Sequence, residues 1–240
     1  MTTLLVRPAA AMDLPPLSQW LKRPVALPDA RHEVLLVATS APVANEADPA
    51  ELLATLRRLP AIGLSLPRLW YHVGCTVHAA GELGLFKRQR TLLLGHDHTG
   101  ASELTDIAWA TDGPSLDRQT AALRLLVETA CQWMASTRSA YAERVIAELP
   151  GPRDSAGQTP VWQGLGRHFY AGDPAAAAAL HGPAWRTHVA SLLPRQPLYT
   201  AFLPAAAQAA IAEVHPAAAL LREVLEAEID QLAQRRSMRA

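Results

Sequence analysis

An α/β (α+β) fold is predicted for this chain, sheet-forming over residues 1–150 and helix-rich over 151–240. Three observations carry that reading: short apolar runs rich in β-branched residues, one long run at helical spacing, and an alanine-rich remainder broken by prolines. A chain of 240 residues can bury a full core, and half of its residues are hydrophobic against 18% charged, an ordinary globular balance. We read residues 1–240 as a single domain.

The elements follow in order. LLVRP at 4–8 reads as a strand, followed by a helix over Asp13–Leu21 with Asp13 as its cap. EVLLVAT at 33–39 is a buried strand, and 41–49 is a turn region. Glu51–Leu59 carries helical potential. WYHVGCTVHA at 70–79 and TLLLG at 91–95 read as neighbouring strands joined by the polar GELGLFKRQR turn, and ELTDIAWAT at 103–111 as another. Leu123, Leu126, Val127, Ala130, Cys131 and Met134 share one face of a helix over 120–135. Arg144–Leu149 is a strand, Thr159-Pro160 starts a helix, and the last helix runs from Pro216 to about Arg235.

Composition excludes several classes of function. Twenty-two basic residues balance twenty-two acidic ones, so there is no positive field for nucleic acid or an anionic membrane. No signal peptide is visible, and no apolar run reaches the about 20 residues of a membrane span. The expected location is the cytoplasm. Cys75 and Cys131 form no CxxC pair and sit in apolar stretches, so both are expected to be buried free thiols.

The densest polar segment is GHDHTGASEL at 95–104. On a strand His96 and His98 would face the same way, but a metal site needs more ligands and no third is evident, so no metal is expected. Cys75 and His78, three apart on a strand, fall on opposite faces and make no nucleophile–base pair. His215, between Val214 and Pro216 at a helix junction, suits general acid–base work. The nucleotide-binding and hydrolase-elbow fingerprints are absent.

VHAAGEL at 77–83, HDHTGASEL at 96–104, PVWQGLGRHF at 160–169 and LLPRQPLYTAFLPAAAQAAIAEVHP at 192–216 resemble consecutive blocks of bacterial arginine N-succinyltransferases. Arg7-Pro8 followed by Asp13-Leu14 is similar to the family's opening. The resemblance implies a GNAT-like mixed, splayed central sheet that admits coenzyme A between two strands. It implies succinyl transfer from succinyl-CoA to the α-amine of arginine or ornithine in arginine catabolism, with no permanently bound cofactor. His215 of the VHP motif matches the proton donor, and Ile107 falls where the family contacts succinyl-CoA. Asp97, His98, Thr99, Ser102 and Glu103 match the polar start of the central strand that lines the substrate side, Glu103 or Asp97 meeting the cationic amine or guanidinium. The alternative for these residues is a hydrogen-bonded turn that orders the sheet.

The chain departs from the pattern twice. The glycine-rich loop that receives a pyrophosphate reads DGPSLDRQTAA at 112–122, keeping Gly113 and Arg118 but losing the paired glycines. Arg118 is the candidate replacement contact, while Asp117 repels phosphate. The family's acidic, glycine-rich DGGP block and small C-terminal domain are also expected to be absent, making this a shortened, divergent member. Two functions follow: a CoA-dependent N-acyltransferase, or an inactive relative serving as a structural or regulatory subunit of a full-length succinyltransferase. The expected partners are an amino acid, an acyl-CoA and other subunits in a homo- or hetero-oligomer, with no nucleic acid or membrane.

Overall fold

The computed structural model describes residues 3–29, 32–40 and 51–237. In chain order its elements are β1 (Leu4–Pro8), α1 (Leu14–Leu21), β2 (Val34–Ser40), β3 (Leu52–Leu59), β4 (Trp70–Ala80), β5 (Leu85–Gly95), β6 (Ser102–Trp109), α2 (Leu116–Ser136) and β7 (Val145–Ala147). They continue with α3 (Pro160–Gly164), α4 (Pro174–His181), α5 (Trp185–Leu192), β8 (Leu198–Tyr199), α6 (Ala205–Ala210) and α7 (Ala219–Ser237). Mixed α/β character, strands first and helices last, is as expected. The contacts divide the chain into two compact units, one of Met1–Ala61, Ala101–Glu148 and Ala217–Ala240, the other of Ile62–Gly100 and Leu149–Pro216. The turn region expected at 41–49 lies outside the described residues.

The first unit is a five-stranded mixed sheet in the order β1-β2-β3-β6-β7, antiparallel except for the parallel pair β6–β7. β2 is buried on both faces, which is why it reads as an unbroken apolar run. Leu35 and Val37 pack with Leu17 of α1, while Leu36 and Ala38 join the core formed with α2. The helical face expected from spacing is the one buried: Leu123, Leu126, Val127 and Ala130 are at most 1% exposed. Each leucine or valine among them contributes about 1.5–3 kcal/mol by leaving water. Val224 of α7 closes the same core.

Two local expectations are corrected. Residues 51–59 form β3 and not a helix, because β3 gains ladder hydrogen bonds from β2 and β6 on its two sides and buries most of its residues. Those tertiary terms outweigh the helix propensity of its Leu, Ala and Arg. Asp13 precedes α1, but its side chain makes no cap hydrogen bond to that helix. Its carboxylate turns back to accept from the Ala10 N–H at 2.7 Å and from Arg7 at 2.6 and 2.9 Å.

In the second unit β4 and β5 form a hairpin of eleven residue pairs in unbroken register, and β8 pairs with β5 at Thr91 and Leu92. LFKRQR therefore belongs to β5, and only Gly81–Gly84 turn the chain, Gly84 taking a φ of 59°. The hairpin base packs Leu92 and Tyr71 against Leu165, Ile211 and Leu198. Beyond that base both faces are largely exposed. Cys75 consequently lies at the surface, correcting the expectation of two buried thiols, while Cys131 is half-buried on α2. No helix among the described residues is long and apolar enough to cross a membrane.

Candidate functional site

β6 is where the mixed sheet opens. Its parallel pairing with β7 covers three residue pairs, Ser102–Val145, Glu103–Ile146 and Leu104–Ala147. β7 ends there while β6 continues to Trp109. Along Thr105–Trp109 the β7-side edge of β6 thus has no strand partner among the described residues. Asp106 interrupts the strand with a φ of 52°, and the ladder with β3 shifts register at this point, a bulge. Asp106 is held by Arg23 and, at 2.8 Å, by Arg57, which also donates to Glu33 at 2.5 Å and to the Ala26 carbonyl at 2.9 Å. The Ile107 side chain packs on the core, so the edge left open beside it is backbone.

Ser102 and Glu103 lie at the closed end of this opening. The Ser102 hydroxyl donates to the Pro60 carbonyl at 2.6 Å and accepts from the Ala142 N–H at 2.8 Å, which ties β6 to the chain on both sides of it. Glu103 is 2% exposed. At the far end the chain turns through Gly113, at a φ of 98° with open space where a Cβ would stand, into α2. Ser115 caps that helix by accepting from the Arg118 N–H at 3.4 Å. The Arg118 guanidinium is ion-paired to Glu51 at 2.8 Å.

In the second unit HDHTG is a turn and not a strand, so the same-face argument for His96 and His98 does not apply. The Thr99 N–H closes the turn on the His96 carbonyl at 3.0 Å, and the Gly100 N–H donates to Ile62 at 2.8 Å. Gly63, at a φ of 75°, lets the two backbones approach: a Cβ there would meet Thr99 Oγ1 at 3.1 Å. The His98 ring meets Trp70 edge-to-face at 4.9 Å, and its buried Nδ1 makes no hydrogen bond among the described residues. Asp97 and Thr99 are exposed. His215 is half-buried in the segment between α6 and α7, its N–H donating to the Pro150 carbonyl at 2.7 Å. A cavity of about 830 Å³ in the same unit, whose lining includes Arg153, Arg167, Trp162 and Trp185, draws on the PVWQGLGRHF block but on none of the catalytic or substrate-binding residues expected from the sequence. Among the described residues no three His, Cys, Asp or Glu side chains group to hold a metal.

The family model for the arginine N-succinyltransferase beta subunit matches residues 43–229. The chain belongs to that family. Arginine N-succinyltransferases from Salmonella paratyphi B and Salmonella newport are each 40% identical to it over 172 residues, covering 70% of this chain and 48% of theirs. The chain therefore spans about half the length of these relatives. A solved structure, the arginine/ornithine succinyltransferase subunit AI from Pseudomonas aeruginosa, superimposes with a TM-score of 0.66 at 23% identity, over 95% of this chain and 71% of that one. At that identity the likeness establishes the shared fold. In this succinyltransferase-family chain the sequence singles out Ser102, Glu103 and Ile107 on β6 but not Asp106, the residue that shapes the strand between them. An Asp tolerates a left-handed conformation better than most residues, yet nothing local distinguishes Asp106 from an ordinary strand position.

Proposed function

We propose that this chain transfers a succinyl group from succinyl-CoA to the α-amine of arginine or ornithine. The observation that carries the reading is the early end of the β6–β7 pairing: it leaves backbone N–H and C=O groups of Thr105–Trp109 open toward a ligand and leads into the N-terminus of α2. A thioester laid along that edge finds a backbone donor near Ile107 for the oxyanion that develops on its carbonyl. Gly113 and the first turn of α2 offer the pyrophosphate an approach free of a Cβ, opposed by Asp117. Arg118 reaches a phosphate only by leaving Glu51.

The α-amine, having lost a proton, attacks the thioester carbon. A C–N bond forms, the C–S bond breaks, and coenzyme A leaves as a thiol after receiving a proton. His215 is assigned that donation through its place in the VHP motif. Glu103 or Asp97 is assigned to the cationic substrate, Asp97 being exposed and Glu103 buried, together with Thr99 and with His98, whose Nδ1 makes no hydrogen bond among the described residues. Ser102, with its hydroxyl engaged on both sides, positions the strand. Because the Pseudomonas relative is a subunit, we extend oligomeric assembly to this chain, and we assign it to the cytoplasm.

Calorimetric titration with succinyl-CoA, coenzyme A and arginine, followed by a thiol-release assay, tests the proposal. Binding and turnover are expected, with His215→Ala lowering turnover about 10²–10⁴-fold while the circular dichroism spectrum is unchanged. Absence of coenzyme A binding at millimolar concentration overturns it in favour of the non-catalytic subunit.

A further inference from the structure

β4 is an edge strand unlike the others in the protein. Among the described residues it pairs only with β5, so the backbone groups along its other side have no strand partner over eleven residues. Sheets blunt such edges with charge, proline, bulges or shortness. The other sheet-terminal strands follow that rule: β1 ends in Arg7-Pro8, β7 is three residues long and β8 two. β4, WYHVGCTVHAA, has no Lys, Arg, Asp, Glu or Pro, and its register with β5 is regular throughout. The cations of the hairpin, Lys87, Arg88 and Arg90, all sit on β5. A two-stranded ribbon is marginal alone in water. This one nevertheless exposes Val73 (38%), Val77 (50%) and Phe86 (72%), which the pairing register places on one face.

The residues of β4 say what covers the edge. Around Cys75 the segment His72-Val73-Gly74-Cys75-Thr76-Val77-His78 reads nearly the same in both directions. Antiparallel pairing of β4 with itself about Cys75 sets Val73 opposite Val77, His72 opposite His78 and Cys75 opposite Cys75. Since 75 is also the midpoint of Trp70–Ala80, that register uses the whole strand. No like charges of Lys, Arg, Asp or Glu meet across it. The cationic β5 strands then flank the two β4 strands, three inter-strand spacings apart, about 14 Å, which exceeds the screening length of about 10 Å at 0.1 M salt. We infer that β4 is the self-pairing edge of a two-fold dimer of this chain, joining two three-stranded sheets into a continuous six-stranded one centred on Cys75. The inference does not depend on the acyl-transfer reading.

Directly opposed strand residues have Cα atoms about 4.5–5.5 Å apart, within disulfide range. Cys131, half-buried and with its thiol pushed up to about 11, chiefly by burial, is a poor competitor for oxidation at neutral pH. Light scattering on the full chain at about 10 µM is expected to give the dimer mass. Brief diamide treatment should give a reducible covalent dimer, formed equally by Cys131→Ser and absent in Cys75→Ser, which still dimerises. Val73→Lys and Val77→Lys, each facing a valine of the second copy, should weaken self-association at least about tenfold with the circular dichroism spectrum retained. A monomer at this concentration overturns the inference, and so does a dimer that yields no Cys75 crosslink and withstands both lysine substitutions.

Discussion

Asp13 shows how one side chain can fix a local path that the sequence assigns to a helix cap. Its carboxylate is tied to Arg7 and to the Ala10 N–H, so it joins the end of β1 to the start of α1. The Arg7 hydrogen bonds hold its carboxyl below the ordinary carboxylate range against the opposing effect of burial. A depressed folded-state value means the pair stabilises above the unfolded pKa of about 3.9, and that this contribution is lost as pH falls through the folded value. Arg7 is 38% exposed, so solvent screening reduces the effect. Asp13→Asn is expected to cost about 1 kcal/mol at neutral pH. Urea unfolding at stepwise lower pH should show the gap between variant and parent shrinking.

At the level of elements, the β6 bulge places strain beside the strand edge proposed to receive the thioester. Asp106 adopts a left-handed conformation in mid-strand, and the arginines that bind its carboxylate maintain it. Asp106→Ala keeps the strained backbone and removes the carboxylate that Arg23 and the Arg57 Nε bind, for an expected loss of about 2–4 kcal/mol. Asp106→Asn tolerates the conformation and should lose less, a ranking that chemical denaturation reads directly. The same strand shows what the sequence makes legible. Apolar periodicity marks α2 and β2 because their burial is written in every third, fourth or consecutive residue. β3 is mistaken for a helix because its stability comes from β2 and from β6 some fifty residues away, and neither is encoded in LLATLRRL itself. HDHTG is recognisable through its likeness to a block of the family. Its turn geometry depends on Ile62 and Gly63, more than thirty residues upstream, and so escapes a local reading.

For the whole molecule, the decisive fact is that both units are assembled from separated segments. α7 belongs to the first unit, and its Val224, 1% exposed, with Leu220 and Leu225 beside it, completes a core whose other members all precede residue 149. Val224→Asp places an unpaired charge in that core and is expected to cost more than about 3 kcal/mol. Native-state hydrogen exchange should report it as lost protection in α2 and β2, helices and strands distant from Val224 in sequence. The interleaving also sets an order of events on the ribosome. All residues of the second unit have been synthesised once Pro216 is added, but the first unit waits for the last segment of the chain. Its sheet is therefore made early and its core is sealed late, so a nascent chain stalled before residue 217 would leave the part of that core covered by Val224 open to chaperones.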